Sequence, residues 1–566
     1  MKKSSCKKIN RLPLRDPNEV MRFDRMGSSH QTRLSFMRQL LRRISKEKWL
    51  FSTPIWEMSD EGFGTAVYDF LVKDRHYSLV AFSHDLPPDK RSDRVIATDW
   101  DLTFALFDGI PLEEDIKRLK KNVPLQEAGR LSNKELVLGR ANKSTRLWDL
   151  VVDSLSRGLQ PSLESVHEVG YLMRTTAVYG SGKFGLKDRI FIKDRPELRA
   201  PFQAEMLAVY MLRCLVMDLI EFVASKRGGD KARKLNPGLR KFFGIGNSTG
   251  LGMAPFLVNH PDLLHSWIKS RELAIARVRA VKIVTDQEKS LFKELLKRVI
   301  GIAEYWNSEN PLQIKKLKDL KNDLQSIQNF TSGRVRRKSW SWDECFCWAR
   351  KTLTLEGQEA LFSLMLEPYG HLIDGLTSGM AVDYEKYTLI DGTISCQLVK
   401  TLVEKEFGWA LKNQYQEMQE QARFWYVSEE KLEPRLGERF KEEGSQLELP
   451  LAIGRDIKMF YDGLLLANAS CKLADFLLDH SEFRHIAKRI LQFRDFAYGE
   501  IRDNLICANM KPIDLLRFKL SFFGASRFDP RSDRWVRICM YQYAPYPAEL
   551  AKVYDDFWPY PSLEAR

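Results

Sequence analysis

The chain has no CxxC pair, no internal repeat, no heptad series, no low-complexity tract and no long uncharged apolar run. Each absence removes a class of protein. Its eight cysteines (Cys6, Cys214, Cys345, Cys347, Cys396, Cys471, Cys507 and Cys539) are scattered. Cys345 and Cys347 are too close in sequence for a relaxed disulfide, and no second pair stands near to complete a zinc site. The expectation is reduced, mostly buried thiols and no structural metal.

The most apolar stretch, Phe202–Val223, carries Glu205, Arg213, Asp218 and Glu221 at scattered helical angles. Charges near mid-bilayer cost roughly 2.5–3.5 kcal/mol each on insertion scales, so a buried core helix is expected and not a membrane span. The first apolar residues are isolated among charges, which does not fit a secretory signal. The expected location is cytoplasmic.

Strands and helices do not alternate regularly, so a doubly wound α/β fold is not expected. A nucleotide P-loop is also missing. The segment Tyr179-Gly-Ser-Gly-Lys-Phe-Gly185 comes near it, but the motif needs glycine at Ala177 and Ser or Thr at Phe184.

What is present points to a folded, helix-rich protein. The 566 residues are 44% hydrophobic and include 13 Trp, ample for a large core. The net charge is +14, but +10 of it lies in the first 48 residues, so the body is close to neutral. A groove for a nucleic-acid backbone needs clustered Lys and Arg. Nucleic acid, or an acidic partner, is therefore a candidate partner through the basic N-terminal arm alone. Residues 1–30 are polar and aperiodic and read as a flexible arm.

Apolar residues recur at three and four positions from Thr32 to Leu50, predicting an amphipathic helix. Three β-branched and aromatic runs, Gly64–Val72, Tyr77–Phe82 and Val95–Phe107, predict a small meander. Helical patterns then dominate: near 111–122, 133–157, 161–178, 201–227, 255–277, 285–305 and 312–328. After a basic break at Thr331–Lys338 they resume near 342–353, 355–367, 391–424, 454–480, 482–494 and 512–520. Residues 426–450 read as a long loop, and Trp535–Tyr543 as a strand. The predicted fold is mainly α (α+β): a large helical array with a small antiparallel sheet near the N-terminus. The expected divisions are the 1–30 arm, an N-terminal helix and meander at 31–110, a helical domain at 111–330, and a second helical domain with a β and aromatic tail at 331–566.

Two glycine-rich segments carry the functional reading. In the first, Gly180, Gly182 and Gly185 surround Lys183, with Arg174 shortly before. Glycines expose backbone N–H groups, and a cation among them suits an anion. The second runs Gly244-Ile-Gly-Asn-Ser-Thr-Gly-Leu-Gly252 towards a helix predicted from Pro255. Asn247, Ser248 and Thr249 add hydrogen-bond donors, and a helix N-terminus favours negative charge. His260 follows in Asn-His-Pro, and a histidine with near-neutral pKa suits proton transfer.

The expected function is an enzyme acting on a small anionic molecule. Arg174, Lys183, Asn247, Ser248 and Thr249 would bind it, and His260 and Tyr179 would handle protons; the cofactor and reaction type stay unassigned. The alternative is a non-catalytic interaction protein using its basic arm. Two further groups have blander readings. Glu367, His371 and Asp374 lack a second motif to complete a metal site. Arg527, Arg531, Arg534 and Arg537, interleaved with Phe528 and Trp535, read as an ion-paired edge strand.

Overall fold

A computed structural model of the chain describes residues 12–22, 24–87, 90, 99–125, 132–179, 194–249, 260–334, 341–381, 390–412, 415, 425–428, 433–436, 448–451, 453–502, 517–529, 536–552 and 554–562. The strands are β1 (Leu50–Met58), β2 (Gly64–Val72), β3 (Arg75–Ser83), β4 (Leu102–Asp108), β5 (Glu135–Lys143), β6 (Tyr171–Tyr179), β7 (Gly244–Thr249), β8 (Trp425–Ser428), β9 (Glu433–Leu436), β10 (Glu448–Leu451), β11 (Arg527–Asp529) and β12 (Val536–Met540). Nine of them form one sheet in the order β1-β2-β3-β4-β5-β6-β7-β12-β11.

This overturns the expected small antiparallel N-terminal sheet. The sheet is mixed, and its last strands come from the C-terminus, so the fold is α+β. Helix still supplies more of the described residues than strand does. β1 to β6 run as an antiparallel meander, and β12 and β11 are antiparallel to their neighbours. Only β6 and β7 are parallel among the described strands, with Arg174 opposite Gly246 and Thr175 opposite Asn247.

A parallel pair needs a long crossover. Here the crossover holds the Gln203–Gly228 helix. That helix is apolar around most of its surface because it is buried around most of it. Its charges are spent internally, as a core helix requires. The Arg213 guanidinium, fully buried, donates to the carbonyls of Phe243 (2.7 Å), Ala544 (2.9 Å) and Lys241 (3.1 Å). Asp218 accepts from the Tyr68 hydroxyl and Arg240, and Glu221 pairs with Arg240. No described helix is long and apolar enough to cross a membrane.

The meander is covered on both faces. One face joins the main core. The other packs Val67, Val80, Phe82, Ala105, Phe107 and Leu138 under Leu119 and Val123, of the Glu113–Asn122 helix and the turn after it. Burial on both faces explains why β3 and β4 read as near-continuous apolar runs.

The predicted strand runs Gly64–Val72 and Tyr77–Phe82 are β2 and β3; of the run predicted over Val95–Phe107 only Leu102–Phe107 is strand, in β4, while 99–101 are not and 95–98 lie outside the described residues. Two predicted helices are largely wrong. Residues 133–157 begin with β5 and become helical only at Trp148–Ser156. Residues 161–178 hold the short helix Leu163–Val169 and then β6. Gly170 ends that helix in the left-handed conformation at φ +76°, and the β-branched run Thr175–Val178 favours a strand. Short apolar runs such as Leu136–Leu138 are ambiguous in period, so pairing with neighbours decides them.

The Phe36–Glu47, Gln203–Gly228, Pro261–Arg279, Asp286–Glu304 and Pro311–Arg334 helices match the predicted series. So do Trp342–Thr352, Leu355–Leu364 and Arg484–Gln492. Of the helix predicted over 391–424, the described residues hold Cys396–Glu406 and a turn at Gly408–Leu411, with 413–414 and 416–424 outside the described residues, and 454–480 is two helices, Ile453–Leu466 and Leu473–Asp479. The loop predicted over 426–450 contains the small sheet β10-β8-β9.

The arm expected over 1–30 is not a flexible arm where it is described; residues 1–11 lie outside the described residues. Val20, Met21 and Met26 are fully buried. Arg15, almost fully buried, pairs with Glu272 (2.7 Å) and Glu359 (2.6 Å). Arg25 donates to Gln358, and the backbone of Met21 accepts from Arg502. Among the basic residues that suggested a docking arm, Arg15 is engaged by acids of the core and Arg25 by Gln358, while Lys2, Lys3, Lys7, Lys8 and Arg11 lie outside the described residues. The same contacts tie both sides of the expected 330/331 division together, as do Arg279–Asp343 and the Asp323 carboxylate accepting from the backbone of Thr354 and Gly357. Residues 335–340 of that break lie outside the described residues.

Candidate functional site

The parallel pair brings the two glycine-rich segments together at their roots. β6 and β7, being parallel, end at the same end of the pair, at Tyr179 and Thr249, which directly precede Gly180 and Gly250 in sequence. Irregular chain after adjacent parallel strands is where α/β sheets place ligands. The residues expected to form a loop at 244–249 are themselves β7. Gly180–Gly185, with Lys183, and Gly250–Gly252 lie outside the described residues. So do the side chains of Tyr179, Ser248 and Thr249, and Arg531 and Arg534.

Asn247 is described and stands in a hydrogen-bonded chain. Its amide nitrogen donates to the Thr175 hydroxyl at 2.8 Å, and that hydroxyl donates to the Gly246 carbonyl at 3.2 Å. Its amide oxygen accepts from the Lys519 ammonium at 3.3 Å. Thr175 is fully buried and Lys519 is 9% exposed. The Lys519 amine lies over the Phe523 ring, 5.1 Å from its centre. Burial pushes the amine down to about 8, because an ammonium loses its hydration among apolar neighbours.

Arg174 is buried one residue before Thr175. Side chains alternate across a strand, so Arg174 shares the Gly246 face while Thr175 shares the Asn247 face. The two cation candidates thus stand on opposite faces of the sheet. His260 is half-buried at the head of the Pro261–Arg279 helix, which begins six residues later than predicted. Pro261 packs on Gly499, whose Cα would carry a Cβ only 2.7 Å from the Pro261 carbonyl oxygen.

A third segment meets the Lys519 turn, and the sequence reading passed over it. Ser28, Ser29, His30, Gln31, Thr32 and Ser35 are all buried, although six polar side chains in eight residues ordinarily face solvent. Lys519–Phe523 is a wide helical turn that ends at Gly524, at φ +94°. Its Ser521 is the anchor: the hydroxyl accepts from the Ser28 N–H at 2.6 Å, and the carbonyl accepts from the Thr32 hydroxyl at 3.0 Å. The Ser28 hydroxyl donates to the His30 carbonyl and meets Ser363 at 2.9 Å. Ser29 donates to Glu356, which also holds the buried Arg517 guanidinium.

Some polar atoms of this segment have no protein partner. They are the Ser35 hydroxyl, both amide atoms of Gln31, and His30 Nε2. The Gln31 oxygen and the Ser35 hydroxyl flank Gly524, and a Cβ there would lie 3.0 and 3.1 Å from them. His30 is turned away, stacked on Trp306 at 5.0 Å between ring centres. Burial pushes it down to about 3, so it stays neutral.

Two carboxylates of the Glu367, His371 and Asp374 group are engaged by arginines. Glu367 pairs with the fully buried Arg38 at 2.7 Å, and Asp374 with Arg33 at 2.8 Å. Among the described residues no cluster of three or more His, Cys, Asp or Glu side chains is placed to hold a metal.

The sequence did carry a signal for the missed residues. Gly27–Thr32 is an uncharged polar stretch inside an otherwise basic region, and Lys519 is a lone cation between Phe518 and Leu520-Ser-Phe-Phe523. Either pattern marks polar groups held inside a core. Comparison of the chain with protein-family models, curated proteins and solved structures finds no match.

Proposed function

We propose that the protein is an enzyme acting on a small anionic molecule, bound where β6 and β7 end. Lys519 supplies the positive charge, and Asn247 and Thr175 orient its amine. The glycine-rich segments 180–185 and 250–252 supply backbone donors, and Lys183, Ser248 and Thr249 belong to the same reading. Tyr179, at the end of β6, and His260, at the head of its helix, remain the proton-handling candidates. An amine held near neutrality by burial also exchanges a proton at physiological pH, so Lys519 joins them.

The observation that carries this reading is the buried lysine hydrogen-bonded to Asn247 beside the parallel pair. A cation without its hydration gains most from an incoming anion. The test uses inorganic phosphate at constant ionic strength. Millimolar phosphate raises the melting temperature of the full chain, and Lys519→Met removes the rise. An equal rise in both proteins sinks the assignment of Lys519.

The alternative, a basic arm docking on nucleic acid or an acidic partner, now has less to rest on. Arg15 and Arg25 are engaged inside the body, which leaves Lys2, Lys3, Lys7, Lys8 and Arg11 in residues 1–11.

A further inference from the structure

Cys396 and Cys471 are far apart in sequence but face each other across a short antiparallel bridge. Ser395 bridges Lys472. The Cys396 N–H donates to the Cys471 carbonyl at 2.8 Å, and the Leu473 N–H donates to the Ile394 carbonyl at 2.8 Å. This pair of bonds sets Cys396 directly opposite Cys471. Directly opposed residues in an antiparallel ladder have Cβ atoms about 4.5–5.5 Å apart, on the same face. A disulfide needs Cβ atoms about 3.5–4.5 Å apart and Cα atoms within about 6.8 Å, so a small local adjustment closes the gap.

The two thiols also differ in access. Cys396 is buried at the first turn of the Cys396–Glu406 helix, while Cys471 is half-buried and its thiol reaches the surface, near the Lys472 carbonyl at 3.4 Å. Burial, and after it the neighbouring Cys471 thiol, raise the Cys396 thiol to about 11.

We propose that Cys396 and Cys471 form a site of reversible oxidation, closing to an internal disulfide when a low-molecular-weight disulfide such as oxidised glutathione is present. The exposed Cys471 thiolate attacks one sulfur of the oxidant, forming a mixed disulfide and releasing one thiol. The Cys396 thiolate then attacks the Cys471 sulfur, forming the internal bond and releasing the second thiol. Two protein thiols are oxidised and one disulfide is reduced to two thiols, so electrons and protons balance. The product ties the head of the Cys396–Glu406 helix to the start of the Leu473–Asp479 helix. It closes the chain between them, which restricts the unfolded state and raises stability. This inference is independent of the anion site.

The test is peptide mapping of the full chain under non-reducing conditions after equilibration with oxidised glutathione. The expected result is one dominant linkage, Cys396–Cys471, with a higher melting temperature that dithiothreitol returns to its starting value. Cys471→Ser abolishes the linkage and the shift, and Cys347→Ser, at an exposed thiol outside the pair, leaves both unchanged. Differential alkylation of the wild-type chain gives the same answer without a variant: both thiols become protected together. Glutathione retained on Cys471 with no internal bond, or a dominant linkage between other cysteines, overturns the proposal.

Discussion

Replacing Lys519 by methionine keeps the length and apolar stem of the side chain and removes the buried charge. Burial lowers the Lys519 amine from 10.5 to about 8. At about 1.4 kcal/mol per pKa unit, that gap is about 3 kcal/mol carried as a cost by the folded protein. The sign follows from proton counting. Below pH 8 the amine is charged in both states, so the whole cost is present. Between pH 8 and 10.5 the unfolded chain holds a proton that the folded protein has released, so wild-type stability rises with pH. Above 10.5 the amine is neutral in both states and the cost is gone. Lys519→Met has no such rise. Its advantage over wild type should therefore be largest near pH 7 and shrink towards pH 10. Urea unfolding of both proteins at pH 7, 8, 9 and 10, followed by tryptophan fluorescence, reads this directly. A gap that is constant or widens with pH would refute the buried, charge-strained lysine. Phosphate at pH 7 should narrow the gap from the other side, by stabilising the charged amine of the wild type.

Three further outcomes follow from the same geometry. Ser35→Ala removes a buried hydroxyl with no protein partner and should raise the melting temperature of the ligand-free protein, by roughly 0.5–1 kcal/mol of stability; a fall would mean the hydroxyl is satisfied. Deleting residues 1–30 should abolish cooperative unfolding in circular dichroism, because Glu272 and Glu359 lose Arg15 and the core loses Val20, Met21 and Met26; a melting temperature close to wild type would contradict the packing described. His30→Phe keeps the stack on Trp306 but cannot take a proton. Folded His30 titrates near 3 against 6.5 when unfolded, so wild-type stability drops as pH falls below 6.5, and the variant should lose less between pH 6 and 4. Parallel acid curves for the two proteins would speak against it.

Long amphipathic or apolar periods were legible in the sequence. Phe36–Glu47, Gln203–Gly228 and Asp286–Glu304 stand close to where the pattern puts them, and so do β2 to β4. The rest of the sheet was hidden for a physical reason. Long-range pairing decides the state of β5, β6 and β7, so Tyr171–Tyr179 read as the tail of a helix and Gly244–Thr249 as a loop. β12 completes the sheet by pairing with β7 from nearly 300 residues away, and no local window contains that information. Charge in residues 1–30 suggests exposure, whereas Arg15 meets buried carboxylates of two distant helices. For the site, the glycine density at 180–185 and 244–252 pointed to two segments that share a root. Lys519, Ser521, Gln31 and Ser35 come from opposite ends of the chain, and only the folded sheet assembles them around Asn247 and Gly524.

The most direct test of an anion site at Lys519 is a crystal structure of the full chain grown with tungstate, whose anomalous signal locates the ion without a model of the ligand. Tungstate is expected within hydrogen-bonding distance of the Lys519 amine, on the face of the sheet shared by Thr175 and Asn247. Tungstate bound elsewhere while a protein carboxylate occupies that amine would contradict it.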